Sequence, residues 1–165
     1  MARTIDPVKY IELEKKLSLG IFGVARNKKG DFLMVKHNYG LKKWSLPGGS
    51  FEQGEFFTDA CIRETLEETG LTVTIRRLIG QFTLYKSKGG LILYETEVVG
   101  GTINPADPEE ISACEFLSKS RIVELWKKGE VYDAQLSLVL CSEMPPRPYG
   151  LPIEAWLTVP PTLKS

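Results

Sequence analysis

Residues 49–71 read GSFEQGEFFTDACIRETLEETGL, and within them Glu64, Glu67 and Glu68 stand at i, i+3 and i+4. On a helix that spacing gathers three carboxylates on one arc of about 120°. Like charges so placed repel one another, so the cluster calls for a compensating cation. Hard divalent ions such as magnesium take oxygen ligands of this kind and commonly bring substrate phosphates with them.

The stretch around the cluster predicts a helix. Thr58 is the expected N-cap, Asp59 adds negative charge to the first turn, and Gly70 suits the left-handed residue just past the end. At about 100° per residue, Ala60, Glu64, Glu67 and Glu68 fall on one side of the wheel and Cys61, Ile62, Thr65 and Leu66 towards the other. The second side is expected on a core and the acidic side in a cleft. Arg63 borders the acidic side and stands at i, i+4 to Glu67, which makes it a holder of carboxylates rather than a substrate contact.

Most glutamate pairs on helices are simply solvated, but here the wider pattern argues for more. Gly49, Glu55, Arg63, Glu64, Glu67, Glu68 and Gly70 fill G-x5-E-x7-R-E-x-x-E-E-x-G. From average residue usage, seven fixed positions match by chance on the order of once per million chains of this length. The pattern resembles the Nudix box of the Nudix hydrolase family. Thr65 stands where that family usually has an aliphatic residue, and Leu71 supplies the apolar residue that ends the box.

The resemblance carries expectations for the site. Glu64, Glu67 and Glu68 would hold most of the metal and act in catalysis, with the base unassigned among them. In Nudix enzymes the loop matching Pro47-Gly48-Gly49 packs on the box helix, and the carbonyl of the glycine matching Gly49 often binds metal. Gly48, Glu55, Arg63 and Gly70 would support the site. A later acidic residue often completes it; Glu109, Glu110 and Glu115 are candidates, and Glu110 is preferred because an apolar, strand-like segment follows it. The implied cofactor is Mg2+, with Mn2+ as a substitute. The implied partner is a small-molecule nucleotide, and a homodimer is left open.

Composition fits one compact enzyme domain over residues 1–165, with 42% hydrophobic residues. Lys plus Arg equals Asp plus Glu at 21 each, so no global field draws the chain to nucleic acid or to a membrane. The clusters Lys42-Lys43, Arg76-Arg77 and Lys127-Lys128 are short enough to be plain surface. Three scattered cysteines without C-x-x-C indicate neither zinc nor a disulfide framework. No signal-like run and no long apolar stretch is present, so a soluble cytoplasmic protein is expected. His37 is the only histidine, which excludes a multi-histidine metal centre and a convincing Ser-His-Asp set. Of the aromatic residues near it, Trp44 is read as packing, and Tyr39 is left between packing and stacking on a nucleobase.

The order of elements is mixed. A short helix is expected from Asp6-Pro7 with Tyr10, Leu13 and Leu17 on one stripe, then strands over 18–26 and 31–36 joined by the turn Asn27-Lys28-Lys29-Gly30. Trp44-Ser45-Leu46 reads as extended and Pro47-Gly48-Gly49 as a loop. Residues 72–86 hold a strand or two bent near Gly80. Gly89-Gly90 reads as a turn into a strand over 91–99, Gly100 to Pro108 as a loop, and Ala113 to Leu117 as a strand. Ser120 to Lys128 and about Tyr132 to Ser142 read as helices. From Pro145 the tail carries six of the ten prolines and is expected to be irregular. Periodicity alone yields a mixed α/β domain; the resemblance implies an α/β/α sandwich with a mixed central sheet.

Taken together, these readings point to a metal-dependent pyrophosphohydrolase that cleaves a nucleoside diphosphate linked to another moiety. The alternative is a non-catalytic Nudix-fold nucleotide-binding or regulatory module, disfavoured because all the box glutamates are present. Removal of a 5′ cap from RNA would need a basic channel, which zero net charge argues against. Gly70 to Asn104 contains no proline, so the mark of many ADP-ribose hydrolases is missing, and so is the SQPWPFPxS signature of NADH pyrophosphatases. Tyr85 and Tyr94 lie downstream of the box, at spacings that do not argue for the diadenosine polyphosphate subgroup.

Overall fold

A computed structural model describes residues 18–84 and 89–143. The expected helix near Asp6, Tyr85 and the proline-rich tail from Pro145 lie outside the described residues. The order of elements is β1 (Ser18–Val24), β2 (Phe32–His37), β3 (Trp44–Ser45), β4 (Gly48–Ser50) and α1 (Phe57–Thr69). There follow β5 (Leu71–Leu84), β6 (Gly89–Gly101), β7 (Ile111–Leu117), α2 (Lys119–Lys127) and α3 (Asp133–Ser142).

A mixed four-stranded sheet runs β4-β1-β6-β5, with β1 parallel to β6 and antiparallel to β4. Successive side chains on its central strands point to opposite faces, and both faces are apolar. Leu19 and Ile21 of β1, with Ile92 and Tyr94 of β6, pack with Ala60, Cys61 and Phe57 of α1. Phe22 and Val24, with Leu91 and Leu93, pack instead with Ile122 and Leu125 of α2 and Leu136 and Val139 of α3. Helices therefore cover both faces, as an α/β/α arrangement requires. A second sheet, β3-β2-β7, is antiparallel throughout, and Phe32 and Met34 of β2 join the core under α2 and α3.

Several elements differ from the sequence reading, each for a physical reason. Helix α1 starts at Phe57 with Phe56 as its N-cap, and no side chain caps it. Thr58 lies inside the first turn because Phe57 is drawn into the core and meets Phe51 edge-on, ring centroids 5.0 Å apart. The wheel also turns. Glu68 is buried, with 4% of its surface exposed, whereas Leu66 is 46% exposed. Cys61 and Thr65 take the sheet-facing positions opposite Gly23, where an added Cβ would stand 3.1 Å from the Cys61 sulfur. Gly48 and Gly49 are strand rather than loop, paired with Phe22 and Ile21 of β1. Gly89 and Gly90 likewise pair within β6 instead of turning into it. The bend expected in β5 is present as register shifts, one of them between Leu78 and Gly80.

Backbone bonds anchor the far end of α1 to the loop after β6. Gly70 has φ +76° and donates to Leu66 O at 2.8 Å, while Asn104 N and Ala106 N donate to Thr69 O and Glu67 O at 2.9 and 2.8 Å. A Cβ at Gly70 would fall 2.5 Å from Thr102 O and 2.6 Å from Asn104 O. Gly54 has a similar φ of +85° but nothing within 4 Å. Gly54→Ala is expected to cost about 1–2 kcal/mol, the price of a left-handed L-residue. Gly70→Ala is expected to cost about 2 kcal/mol more, because backbone must also move. Urea unfolding of the two variants measures the difference; equal losses would mean that the 102–104 loop yields freely and does not hold the helix end.

Candidate active site

Strand β4 lies against the acidic face of α1, at Glu64 and Glu68, and sorts its carboxylates. Gly48 N donates to Glu68 Oε2 at 2.7 Å. Burial raises the Glu68 pKa to about 8; the Gly48 bond opposes this, and the charges of Glu64, Glu110 and Glu67 add to it. Glu68 is thus a carboxyl group poised to change protonation near neutrality, although it neighbours the exposed Glu67 in sequence.

Arg63 does more than the expected pairing with Glu67. Its Nε and Nη2 grip Glu55 Oε1 and Oε2 at 2.9 and 3.1 Å, and Nη2 also donates to Ser50 O at 3.1 Å. Nη1 donates to Glu64 Oε1 at 3.0 Å and to Glu67 Oε2 at 3.2 Å. The guanidinium holds the Glu55 pKa below the usual carboxylate range. Glu64 moves the other way. Burial raises its pKa in spite of the Arg63 bond, so desolvation outweighs the ion pair there. Gly49 abuts Glu64: a Cβ at Gly49 would stand 2.8 Å from each carboxylate oxygen. Only a residue without a side chain fits while Glu64 keeps this position.

Of the later acidic residues, Glu110 is the one whose charge reaches both Glu64 and Glu68. It is exposed, and its carbonyl accepts from Asn38 N at 2.7 Å. Glu109 is turned into its own loop, where its N–H bonds Asp107 Oδ1 at 2.8 Å. Glu115 lies along β7 opposite Met34. Among the described residues, no three His, Cys, Asp or Glu side chains converge into a ready-made cation cage. Glu64 and Glu67 are engaged by Arg63 and Glu68 by Gly48, so holding an ion requires them to share or leave those partners. The donor set itself suits a hard cation: carboxylate oxygens in excess over one guanidinium, with the Glu68 carboxyl group buried beside them.

Sequence reasoning did not find Ser50, whose carbonyl ties β4 to Arg63, because any residue supplies that oxygen. It also did not place Tyr132 beside the site. Lys43 sits 5.0 Å from the Tyr132 ring centroid, a contact between distant parts of the chain with no local signature.

The family model described as NUDIX domain matches residues 16–137. A Bacillus subtilis (strain 168) protein provisionally named 8-oxo-dGTP diphosphatase is 31% identical over 103 residues, which are 62% of this chain and 68% of that protein. An ADP-ribose pyrophosphatase of Methanocaldococcus jannaschii is 26% identical over 113 residues, 66% of either chain. Among solved structures, a Nudix hydrolase from Nitrosomonas europaea aligns with a TM-score of 0.66 at 21% identity, over 77% of this chain and 88% of that one. An ADP-ribose pyrophosphatase from Streptococcus suis 89-1591 aligns with a TM-score of 0.60 at 23% identity, over 79% and 94%. At those identities the two structures attest the fold. With the family pattern matched over most of its length and the same architecture around the acidic helix, this chain belongs to the Nudix hydrolase family.

Proposed function

We propose that this Nudix hydrolase is a magnesium-dependent pyrophosphohydrolase that cleaves a nucleoside diphosphate linked to another moiety. The observation that carries the reading is the unbalanced charge around Arg63 on the acidic face of α1. Glu55, Glu64 and Glu67 share the single guanidinium of Arg63, and Glu68 is buried beside them with its pKa raised to about 8. A diphosphate would be repelled by such a site. Glu64, Glu67, Glu68 and Glu110, with the Gly49 carbonyl, are the groups that would hold magnesium or manganese. Such an ion reverses the local sign and stabilises charge on phosphate oxygens during in-line attack by water.

The chain's own residues have separate tasks in this reading. Arg63 keeps Glu64 and Glu67 in reach of one another and ties the helix to β4 through Ser50. Gly49, having no side chain, lets the Glu64 carboxylate lie directly against the β4 backbone. Glu68, buried and bonded by Gly48 N, would offer the ion a carboxylate oxygen from inside the site. The names of the two relatives, one for 8-oxo-dGTP and one for ADP-ribose, support a nucleotide substrate. No helix among the described residues is long and apolar enough to cross a membrane.

A panel of nucleoside triphosphates, ADP-ribose and nucleotide sugars, assayed for phosphate, pyrophosphate or monophosphate release, tests the function. Turnover of at least one member is expected with magnesium, none in chelator, and recovery with magnesium or manganese. Full activity in chelator would remove the mechanism.

Glu68 offers a second test, free of any substrate. Its folded pKa of about 8 lies above the ordinary glutamate value of 4.5. The folded state therefore binds more protons than the unfolded state between those values, and stability falls as pH rises through them. In chelator, the melting temperature is expected to drop between pH 7 and pH 9. Glu68→Gln, which keeps the shape and an acceptor for Gly48 N, should flatten that slope and lose metal-dependent turnover. A Glu68→Gln protein with the wild-type slope would place the titrating group elsewhere.

A further inference from the structure

The turn between β2 and β3, residues 38–43, has no part in the chemistry above, yet it is held at the edge of the acidic site. His37 N donates to Lys43 O at 3.1 Å and Lys42 N to Tyr39 O at 3.0 Å, which closes the turn. On one side Asn38 N bonds Glu110 O at 2.7 Å; on the other Trp44 N bonds Glu130 O at 2.8 Å, just before α3. Lys42 carries φ +52°, the one positive φ at a non-glycine residue among those described. Such strain persists where surrounding structure over-determines it.

Two tyrosines flank this edge, and they differ in what they leave free. The Tyr132 ring is half-buried, and the Lys43 ammonium lies over it. Tyr39 is 56% exposed, and its ring is backed by His37, with centroids 4.9 Å apart and planes at 56°. Besides partial burial, the charges of Glu68, Glu110 and Glu64 and the Tyr132 phenol all act on the Tyr39 hydroxyl, which lies within electrostatic reach of the acidic site.

The backing ring is itself fixed. Ser45 Oγ donates to Leu46 O at 3.0 Å, so toward His37 Nε2, 2.8 Å away, it accepts. The His37 proton is thereby assigned to Nε2, and Nδ1 is left as a bare acceptor, buried and without a partner. A second proton would put an unsatisfied N–H in that position, and burial also lowers the His37 pKa. His37 is a neutral, flat support rather than a cation for phosphate.

We propose that Tyr39 is the platform on which the planar base of the nucleotide stacks, and that His37, oriented by Ser45, is the positioning residue behind it. This rests on the nucleotide reading above and adds where selection for an aromatic base resides. Ring stacking tolerates every base, since each has a π-face, and contributes about tenfold or more in affinity.

Calorimetry in magnesium with AMP, GMP and ribose 5-phosphate reads the contribution of the base. The wild type is expected to bind at least one nucleotide about tenfold more tightly than ribose 5-phosphate, Tyr39→Phe to keep that preference, and Tyr39→Leu to reduce it to about twofold or less. Ser45→Ala and His37→Ala should each raise KM for the best nucleotide of the panel severalfold with kcat unchanged, and His37→Phe should restore part of the loss by returning a ring. Thermal melts accompany each variant; Tyr39 is exposed, so its variants fold. A folded Tyr39→Leu protein with the wild-type preference, or a wild type without one, overturns the platform. Unchanged KM in Ser45→Ala overturns the positioning role. Absence of turnover for every nucleotide strikes the proposed function instead, and because binding is read without turnover the two failures are told apart.

Discussion

The guanidinium of Arg63 is the contact on which the site depends. Three carboxylates at i, i+3 and i+4 would push one another apart, and the helix would gain from turning them to water. Arg63 offsets this by offering a planar set of donors whose geometry matches carboxylates. It bonds Glu55, Glu64 and Glu67 at once and reaches the Ser50 carbonyl as well. One cation thus joins the strand before the helix, the loop between them and two of the three acids. Lysine, a point charge on a flexible stem, has no such fork.

From that anchor, the environments of adjacent carboxylates diverge. Glu67 is exposed and its pair with Arg63 is an ordinary surface one, whose net contribution to stability is small. Glu64 is mostly covered, and desolvation there overrides a close ion pair. Glu68 is covered by β4, and burial raises its pKa against the opposing hydrogen bond from Gly48 N. The gradient runs from the exposed side chain of Glu67 to the buried one of Glu68.

The walls of the site are also mechanically linked. The last carbonyls of α1 accept from Asn104 and Ala106, the same loop continues to Glu110, and the Glu110 carbonyl accepts from Asn38 in the β2–β3 turn. Backbone bonds therefore run from the acidic helix to the Tyr39 turn without passing through a mobile side chain. A loop held this way can keep a ring at a set distance from the carboxylates, as substrate positioning demands.

What was legible in the sequence is what depends on neighbours along the chain. The acidic spacing, the helix carrying it, its end at Gly70, the Arg63–Glu67 pair, α2, α3 and the alternating strand β6 all follow from local period and end signals. The tertiary structure alone decided which of those residues lose water. Phe57, drawn into the core, moved the helix start away from Thr58, and the approach of β4 turned a glycine loop into a strand and buried Glu68 while Leu66 faced outward. The Arg63–Glu55 clamp and the contacts linking Ser45, His37 and Tyr39 join segments whose proximity no helical or strand period encodes. Spacing fixes where a charge can point; only the elements packed over it determine whether that charge remains in water, and hence what it can do.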